Sequence, residues 1–342
     1  MDGSTRRFFD GILGAGAAFG LLGAGTLATG PRRVMLRRQW RPAYLDLESA
    51  GELARRAESL FSIYRSCRLC PRQCGADRLA GEKGVCQSVS RARVAAAHPH
   101  FGEEAPLVGR HGSGTIFFSR CNLLCAYCQN WEISHRGDGS FLSDEALGRL
   151  MLQLADLGCH NINLVTPTHC VPNIVRALRS AIPRGLRLPL VYNCGGYESL
   201  EAVRLLDGIV DIYLPDFKYT DGPTAAKYSS GAGDYPEVAA AAISEMHRQV
   251  GDLVVDEDGI ALRGLMIRHL VLPRNLAGTG AFVHFVAHKL GPGTYVNLMS
   301  QYRPAWQAQR YPALSRRITR EEYEQAVTWA RQAGLTNVHL QG

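Results

Sequence analysis

Seven of the ten cysteines in this 342-residue chain stand in two tight groups, and their spacing suits metal chemistry. Cys121-Asn-Leu-Leu-Cys125-Ala-Tyr-Cys128 follows the end of an apolar run. Three thiolates are an incomplete set for structural zinc, which takes four ligands in a closed shell. They are also incomplete for a [4Fe–4S] cube, which has four irons to ligate. On such a cube three cysteines leave one iron open for chemistry. Upstream, Cys67-Arg-Leu-Cys70-Pro-Arg-Gln-Cys74 is followed after eleven more residues by Cys86. Four thiolates close either tetrahedral zinc or a complete [4Fe–4S] cluster, and both readings stand at this stage. Only the iron–sulfur reading carries an electron-relay role. Cys159, Cys170 and Cys194 are left as single, buried cysteines. A disulfide framework belongs to short secreted chains and does not fit this pattern.

The elements that must hold these groups follow from hydrophobic periodicity. Strand-type runs occur at Thr115–Phe118, Ile162–Val165, Leu188–Tyr192, Ile209–Leu214, Leu265–Leu272 and Tyr295–Met299. Helical stretches lie between them: one opening at Ser143 with Leu147, Leu150, Met151 and Leu154 on one face, then Val171–Ala181, Ser199–Leu206, Val238–Val250 and Phe282–Leu290. Thr319-Arg-Glu-Glu322 is a capping box that opens a last helix, to about Ala333. Strand–helix alternation predicts an α/β fold with a parallel sheet. Six repeats fit a doubly wound sheet or, as expected here, a partial (β/α)6 TIM-like barrel. Reactive loops sit at strand C-terminal ends in such folds, where Cys121 falls. Three regions are expected: a signal or anchor segment at 1–30, a small Cys-rich N-terminal region at 31–110, and the barrel with its C-terminal helix at 111–342. The Cys-rich region has a helix near Asp46–Ser59 but no large apolar pattern, so a metal would help it fold.

Charge narrows the partners. The formal net charge is +7, but residues 1–41 hold seven arginines against Asp2 and Asp10. The rest is close to neutral, so no nucleic-acid partner is expected. Thr5-Arg-Arg-Phe-Phe9 and the uncharged run Gly11–Ala28 resemble a twin-arginine signal, which points to export or membrane association. No Walker loop, GxGxxG fingerprint or GxSxG elbow is present.

The three-cysteine motif resembles that of the radical S-adenosylmethionine (SAM) superfamily. Within it the chain is similar to proteins related to pyruvate formate-lyase activating enzyme, over about residues 60–335. Cys67-Arg-Leu-Cys70-Pro-Arg-Gln-Cys74-Gly, Gly102-Glu-Glu-Ala, Cys128-Gln-Asn-Trp-Glu-Ile-Ser, Asn161-Ile-Asn-Leu-Val-Thr-Pro-Thr-His169 and Val210-Asp-Ile-Tyr-Leu-Pro-Asp-Phe-Lys218 carry the likeness. It implies a [4Fe–4S] cluster on Cys121, Cys125 and Cys128, with SAM chelating the open iron. A 5′-deoxyadenosyl radical then takes hydrogen from a protein or small-molecule substrate, with glycyl-radical enzyme activation one such reaction. It implies Tyr127 beside the adenine. Thr166 and Thr168 stand where the family has a Gly-Gly-Glu segment that meets the SAM amino group, a departure that replaces a carboxylate by carbonyls and hydroxyls. Asn193 lies in a turn near methionine and ribose, and Gln301 approaches the ribose. Asp216 and Lys218, on one face of a strand, bind the methionine carboxylate or form an interior ion pair. A low-potential donor such as flavodoxin or ferredoxin is implied, which makes the chemistry cytoplasmic and conflicts with an exported N-terminus. His269 reads as a structural residue. His98 and His100 read as turn residues or as support for the site. The competing reading is a non-catalytic iron–sulfur electron carrier or zinc-stabilised scaffold, which needs a fourth ligand from Cys159, Cys170 or Cys194.

Overall fold

The computed structural model describes residues 25–27 and 33–341. The signal-like segment at 1–30 therefore lies outside the described residues, apart from the short strand Gly25–Leu27. Among the described residues no helix is long and apolar enough to cross a membrane.

Six parallel strands follow one another in chain order across the sheet. They are β1 (Ser113–Phe118), β2 (Ile162–Val165), β3 (Leu190–Cys194), β4 (Ile212–Pro215), β5 (Ala261–Leu270) and β6 (Tyr295–Met299). The intervening helices are α1 (Asp144–Asp156), α2 (Val171–Ala181), α3 (Leu200–Leu205), α4 (Tyr235–Val250) and α5 (Thr279–Phe285), with α6 (Arg320–Gln332) last. The sheet is open, as the expected partial barrel requires. Two features go beyond the expectation. After α6 the chain adds a seventh parallel strand, Val338–Gln341, beside β6. At the other end Arg93–His100 pairs antiparallel with β1, so the N-terminal region contributes to the same sheet.

Local sequence explains the elements. Ser143 caps α1 by accepting the Ala146 N–H at 3.2 Å, and Leu147, Met151 and Leu154 bury one face. Thr319 and Glu322 form the expected reciprocal capping box of α6. Helix Glu52–Ser62 buries Leu53, Ala57 and Leu60 and packs on α2. The stretch expected as a helix to Leu290 runs as α5 and then a π-helical turn, Val286–Leu290.

The barrel interior has two layers. Val191, Ile212, Leu214, Met266 and Tyr295 pack with Leu107 into an apolar plug. Leu107 comes from the short helix Ala105–Val108, which also brings Glu103 and Glu104 inside the sheet. Beyond the plug, toward the strand C-termini, the lining becomes polar and opens into a cavity.

Candidate active site

The cavity has a volume of about 440 Å³, within the usual range for a small-molecule site. Its wall includes Cys121, Cys125, Cys128, Tyr127, Thr166, Asn193, Asp216 and Lys218. The sequence analysis named each of these eight residues by motif; their gathering around one cavity is what the fold adds.

The cysteine loop leaves β1 at Arg120 and is pinned on both sides. Ala126 N–H donates to Tyr228 O at 2.8 Å, and Gln307 N–H donates to Ala126 O at 2.9 Å. Arg120 and Leu124, flanking Cys121, hold left-handed backbone at φ 81° and 50°. Such strain is tolerated where surroundings over-determine the chain, commonly at functional sites. Arg72, from the Cys-rich region, straps the loop: its guanidinium donates to Asn122 O, Ser229 O and Ser230 O at 3.1, 3.0 and 2.7 Å.

Each sulfur meets a polar neighbour. The Leu123 N–H donates to Cys121 Sγ at 3.4 Å, and Ser229 Oγ donates to Cys125 Sγ at 3.1 Å. Cys128 Sγ and Ser134 Oγ lie 3.1 Å apart. Burial pushes the Cys121 thiol up to about 11, and it raises Cys125 and Cys128 as well. These buried sulfurs become thiolates only against a compensating cationic centre. Three sulfurs line one cavity, one short of the four that close a zinc shell, so the donor set fits a [4Fe–4S] cluster with one iron left open.

The strand ends supply the opposite wall. Lys218 Nζ and Asp216 Oδ2 pair at 2.6 Å. Burial works against the Lys218 ammonium, but the Asp216 carboxylate and Cys125 outweigh it and hold Lys218 well above its usual range. The Tyr235 hydroxyl accepts the Lys218 N–H at 2.8 Å and reaches Gly195 O and Asp216 O, fixing both turns. Gly196, at φ 77°, lies against Asp216 O, where a Cβ would come within 2.3 Å. Thr166, a β-branched residue at φ 58°, donates its N–H to Asn193 O at 2.8 Å. Tyr127 is buried edge-on to Tyr219 and Tyr302.

Thr168 corrects the sequence reading. It is buried away from the cavity, and its hydroxyl donates to Glu198 Oε1 at 2.7 Å. A 3-10 turn spans Thr168–Cys170, and the Thr168 hydroxyl gives its one donor to Glu198 rather than to the cavity. Glu198 also accepts the Tyr192 hydroxyl at 2.9 Å, and burial pushes its carboxyl up to about 7. His269 faces away as well: its ring stacks on Phe282, with Nδ1 at 2.7 Å from Phe217 O and Nε2 at 2.9 Å from Thr279 Oγ1. His100 stands on the strand Arg93–His100 and lines the cavity, as does Gln301.

A network the sequence reading missed forms the cavity floor. Arg268 Nε and Nη2 donate to the two oxygens of Glu104 at 2.6 Å each, and Nη2 also pairs with Glu103. Asn297 Nδ2 donates to Glu104 Oε1 at 2.8 Å, and Arg268 Nη1 reaches Asn193 Oδ1 at 3.4 Å. Burial alone would raise the Glu104 carboxyl, but Arg268 overrides it and holds it below the usual range. The Gly102-Glu-Glu-Ala phrase was the available signal.

The family comparison agrees with this geometry. The radical SAM superfamily model matches residues 115–245. The chain is 30% identical over 308 residues to the uncharacterized protein MJ0674 of Methanocaldococcus jannaschii, spanning 87% of this chain and 82% of that one. Among solved structures it is similar to a radical SAM methyltransferase from Sphaerobacter thermophilus, with a TM-score of 0.44 and 14% identity over 66% of this chain and 65% of that one. It is also similar to HydG, a maturase of the [FeFe]-hydrogenase, with a TM-score of 0.44 and 14% identity over 64% of this chain and 48% of that one. The chain thus spans less than two thirds of each of these solved proteins. The superfamily's cofactors are a [4Fe–4S] cluster and SAM, the open three-sulfur cavity suits both, and residues 115–245 of the chain belong to the radical SAM superfamily.

Proposed function

We propose that this protein reductively cleaves SAM and removes a hydrogen atom from a protein or small-molecule substrate, with glycyl-radical enzyme activation the first class to test. The observation that carries the reading is one cavity walled by three cysteine sulfurs on one side and by strand-end polar groups on the other. Held by the three cysteines, a reduced [4Fe–4S] cluster would supply one electron to the sulfonium of SAM, whose S–C5′ bond would break to leave methionine and a 5′-deoxyadenosyl radical.

The chain's own residues bind and orient. Cys121, Cys125 and Cys128 hold the cluster, and their Ser229, Ser134 and backbone N–H partners temper the sulfur charge. Lys218 takes the methionine carboxylate, held in place by Asp216. Thr166, through its carbonyl and hydroxyl, and Asn193 accept the ammonium hydrogens. Tyr127 offers a ring to the adenine. The Tyr127, Tyr219 and Tyr302 cluster excludes water from that side. The reductant is a low-potential donor of the flavodoxin or ferredoxin class.

The spare cysteines favour an open site over a closed carrier. Cys159 and Cys170 do not line the cavity, and Cys194, which does, has its thiol beside the Glu198 carboxyl. The test is anaerobic reconstitution, reduction with dithionite, and chromatographic detection of 5′-deoxyadenosine. The reading expects SAM-dependent 5′-deoxyadenosine that disappears in Cys125→Ala. No product from protein with a full cluster spectrum, across a range of substrates, would sink it.

A further inference from the structure

Arg78 is the most anomalous charge in the molecule. Its side chain is only 1% exposed, and among the described residues no carboxylate bonds to it. The guanidinium donates to Val89 O at 2.7 Å and His169 O at 2.9 Å, lies over the Tyr64 ring, and directs Nη1 at Cys67 Sγ at 3.8 Å. Its Nε has no partner. A buried cation without a counter-charge is costly, and such charges are normally paired. The side chains around Arg78 that can become anionic are Tyr64, Cys86, Cys67 and Cys170.

The surrounding backbone gathers the second cysteine set. Cys67 exchanges backbone bonds with Gly75 and Ala76, each at 3.1 Å, which brings Cys67 beside Cys74. A turn from Cys70 O to Gln73 N–H folds the segment between them. Gly84 lies against Cys74, where a Cβ would stand 2.2 Å from Cys74 Sγ, and Cys86 follows two residues on. Only glycine leaves that sulfur room. No helix or strand spans residues 66–92, so hydrogen-bonded turns and the shared sulfur neighbourhood hold the segment.

We propose that Cys67, Cys70, Cys74 and Cys86 ligate a second, fully coordinated [4Fe–4S] cluster whose anionic charge is what Arg78 neutralises. Four thiolates on a cube leave a net double negative charge, which supplies the missing partner for a buried guanidinium. Four thiolates on zinc would carry the same charge, but Arg72, between Cys70 and Cys74, donates to Asn122 O next to Cys121, so the set stands beside the loop of the first cluster, where an iron–sulfur centre can relay electrons and zinc cannot.

The test compares the wild type with a Cys121→Ala/Cys125→Ala/Cys128→Ala variant, both reconstituted anaerobically with iron, sulfide and equimolar zinc. Iron, zinc and acid-labile sulfide are counted per folded chain. The proposal expects about four irons and four sulfides to remain in the triple variant, half of the wild-type content. Adding Gly84→Ala, whose new methyl would stand 2.2 Å from Cys74 Sγ, should remove most of that iron. Arg78→Met should shift the midpoint potential of the remaining cluster downward, because a lost neighbouring cation disfavours the reduced, more negative state. Arg78→Lys should largely restore it, a response that a purely structural arginine would not give. If Arg78→Met does not fold, the Gly84→Ala iron count carries the test. A triple variant that holds no iron, or one zinc in its place, overturns the proposal while leaving the SAM site intact. Equal iron in wild type and triple variant would instead overturn the first ligand set.

Discussion

Arg268→Met puts the cavity floor to the hardest test. The guanidinium makes 2.6 Å contacts to both oxygens of Glu104 and a further pair with Glu103. The side chains of Arg268 and Glu104 are 17% and 1% exposed, so water screens the interaction weakly. Removing the cation leaves two buried carboxylates facing each other, a loss of roughly 3–5 kcal/mol at neutral pH. The pH dependence follows from Glu104. In the wild type burial raises its carboxyl, but Arg268 outweighs burial and holds it low. The pair therefore stabilises the fold above the ordinary carboxylate range, and that contribution fades as pH falls through the lowered folded value. In the variant burial acts alone and the folded value rises above the unfolded one. The penalty is then absent at low pH and grows as pH rises toward neutrality, by about 1.4 kcal/mol for each unit of separation. Urea unfolding at pH 5 and pH 7.5 reads this directly. The variant should lose more stability at pH 7.5 than at pH 5, and Glu104→Gln on top should recover part of the loss. A loss below about 1 kcal/mol at pH 7.5, or an equal loss at both pH values, would refute the ion-pair account.

Further outcomes follow from neighbouring residues. Thr166→Gly relieves a left-handed β-branched residue, worth about 1–2 kcal/mol, against a glycine entropy cost of about 0.5–1 kcal/mol. Thermal denaturation should show unchanged or slightly higher stability, while calorimetry shows SAM binding weakened about fivefold through the lost hydroxyl. Burial pushes the Glu198 carboxyl up to about 7, so the stability it contributes when neutral, present in full below its unfolded value, is lost as pH rises through the folded value of about 7. Glu198→Gln should flatten this decline, of about 3 kcal/mol, in a pH series of urea titrations. Gly196→Ala places a Cβ 2.3 Å from Asp216 O at φ 77°. Chemical denaturation should show a loss of more than about 1 kcal/mol, with weaker SAM binding from the displaced Asp216 turn.

Much of this architecture was legible in the residues because it is local. The Cys121–Cys128 spacing, the Asp216 and Lys218 alternation and the Thr319–Glu322 cap each need only a short stretch of chain, and all three are present as paired or cavity-lining groups. The six barrel strands were legible because their apolar runs are nearly continuous, as strands covered on both faces require. Strand ends were less so: β3 runs on to Cys194 and β5 begins at Ala261, where hydrogen bonding to neighbours rather than hydrophobicity sets the limits. The Arg268 and Glu104 pair joins residues 164 apart in the chain, so no local pattern announces it. Thr168 misled because spacing places a residue on a turn but does not say which way a 3-10 turn aims its hydroxyl. The seventh strand, Val338–Gln341, is short and half polar, too brief to show periodicity.

The account's central claim is that the cluster on Cys121, Cys125 and Cys128 keeps one iron open and that SAM binds it in the cavity beside Lys218. Electron paramagnetic resonance of the reduced protein with Cys67, Cys70, Cys74 and Cys86 replaced by alanine isolates that cluster. Adding SAM should change its g-values, and Lys218→Met should require more SAM for the same change. A reduced-cluster spectrum that stays the same at saturating SAM would contradict the claim.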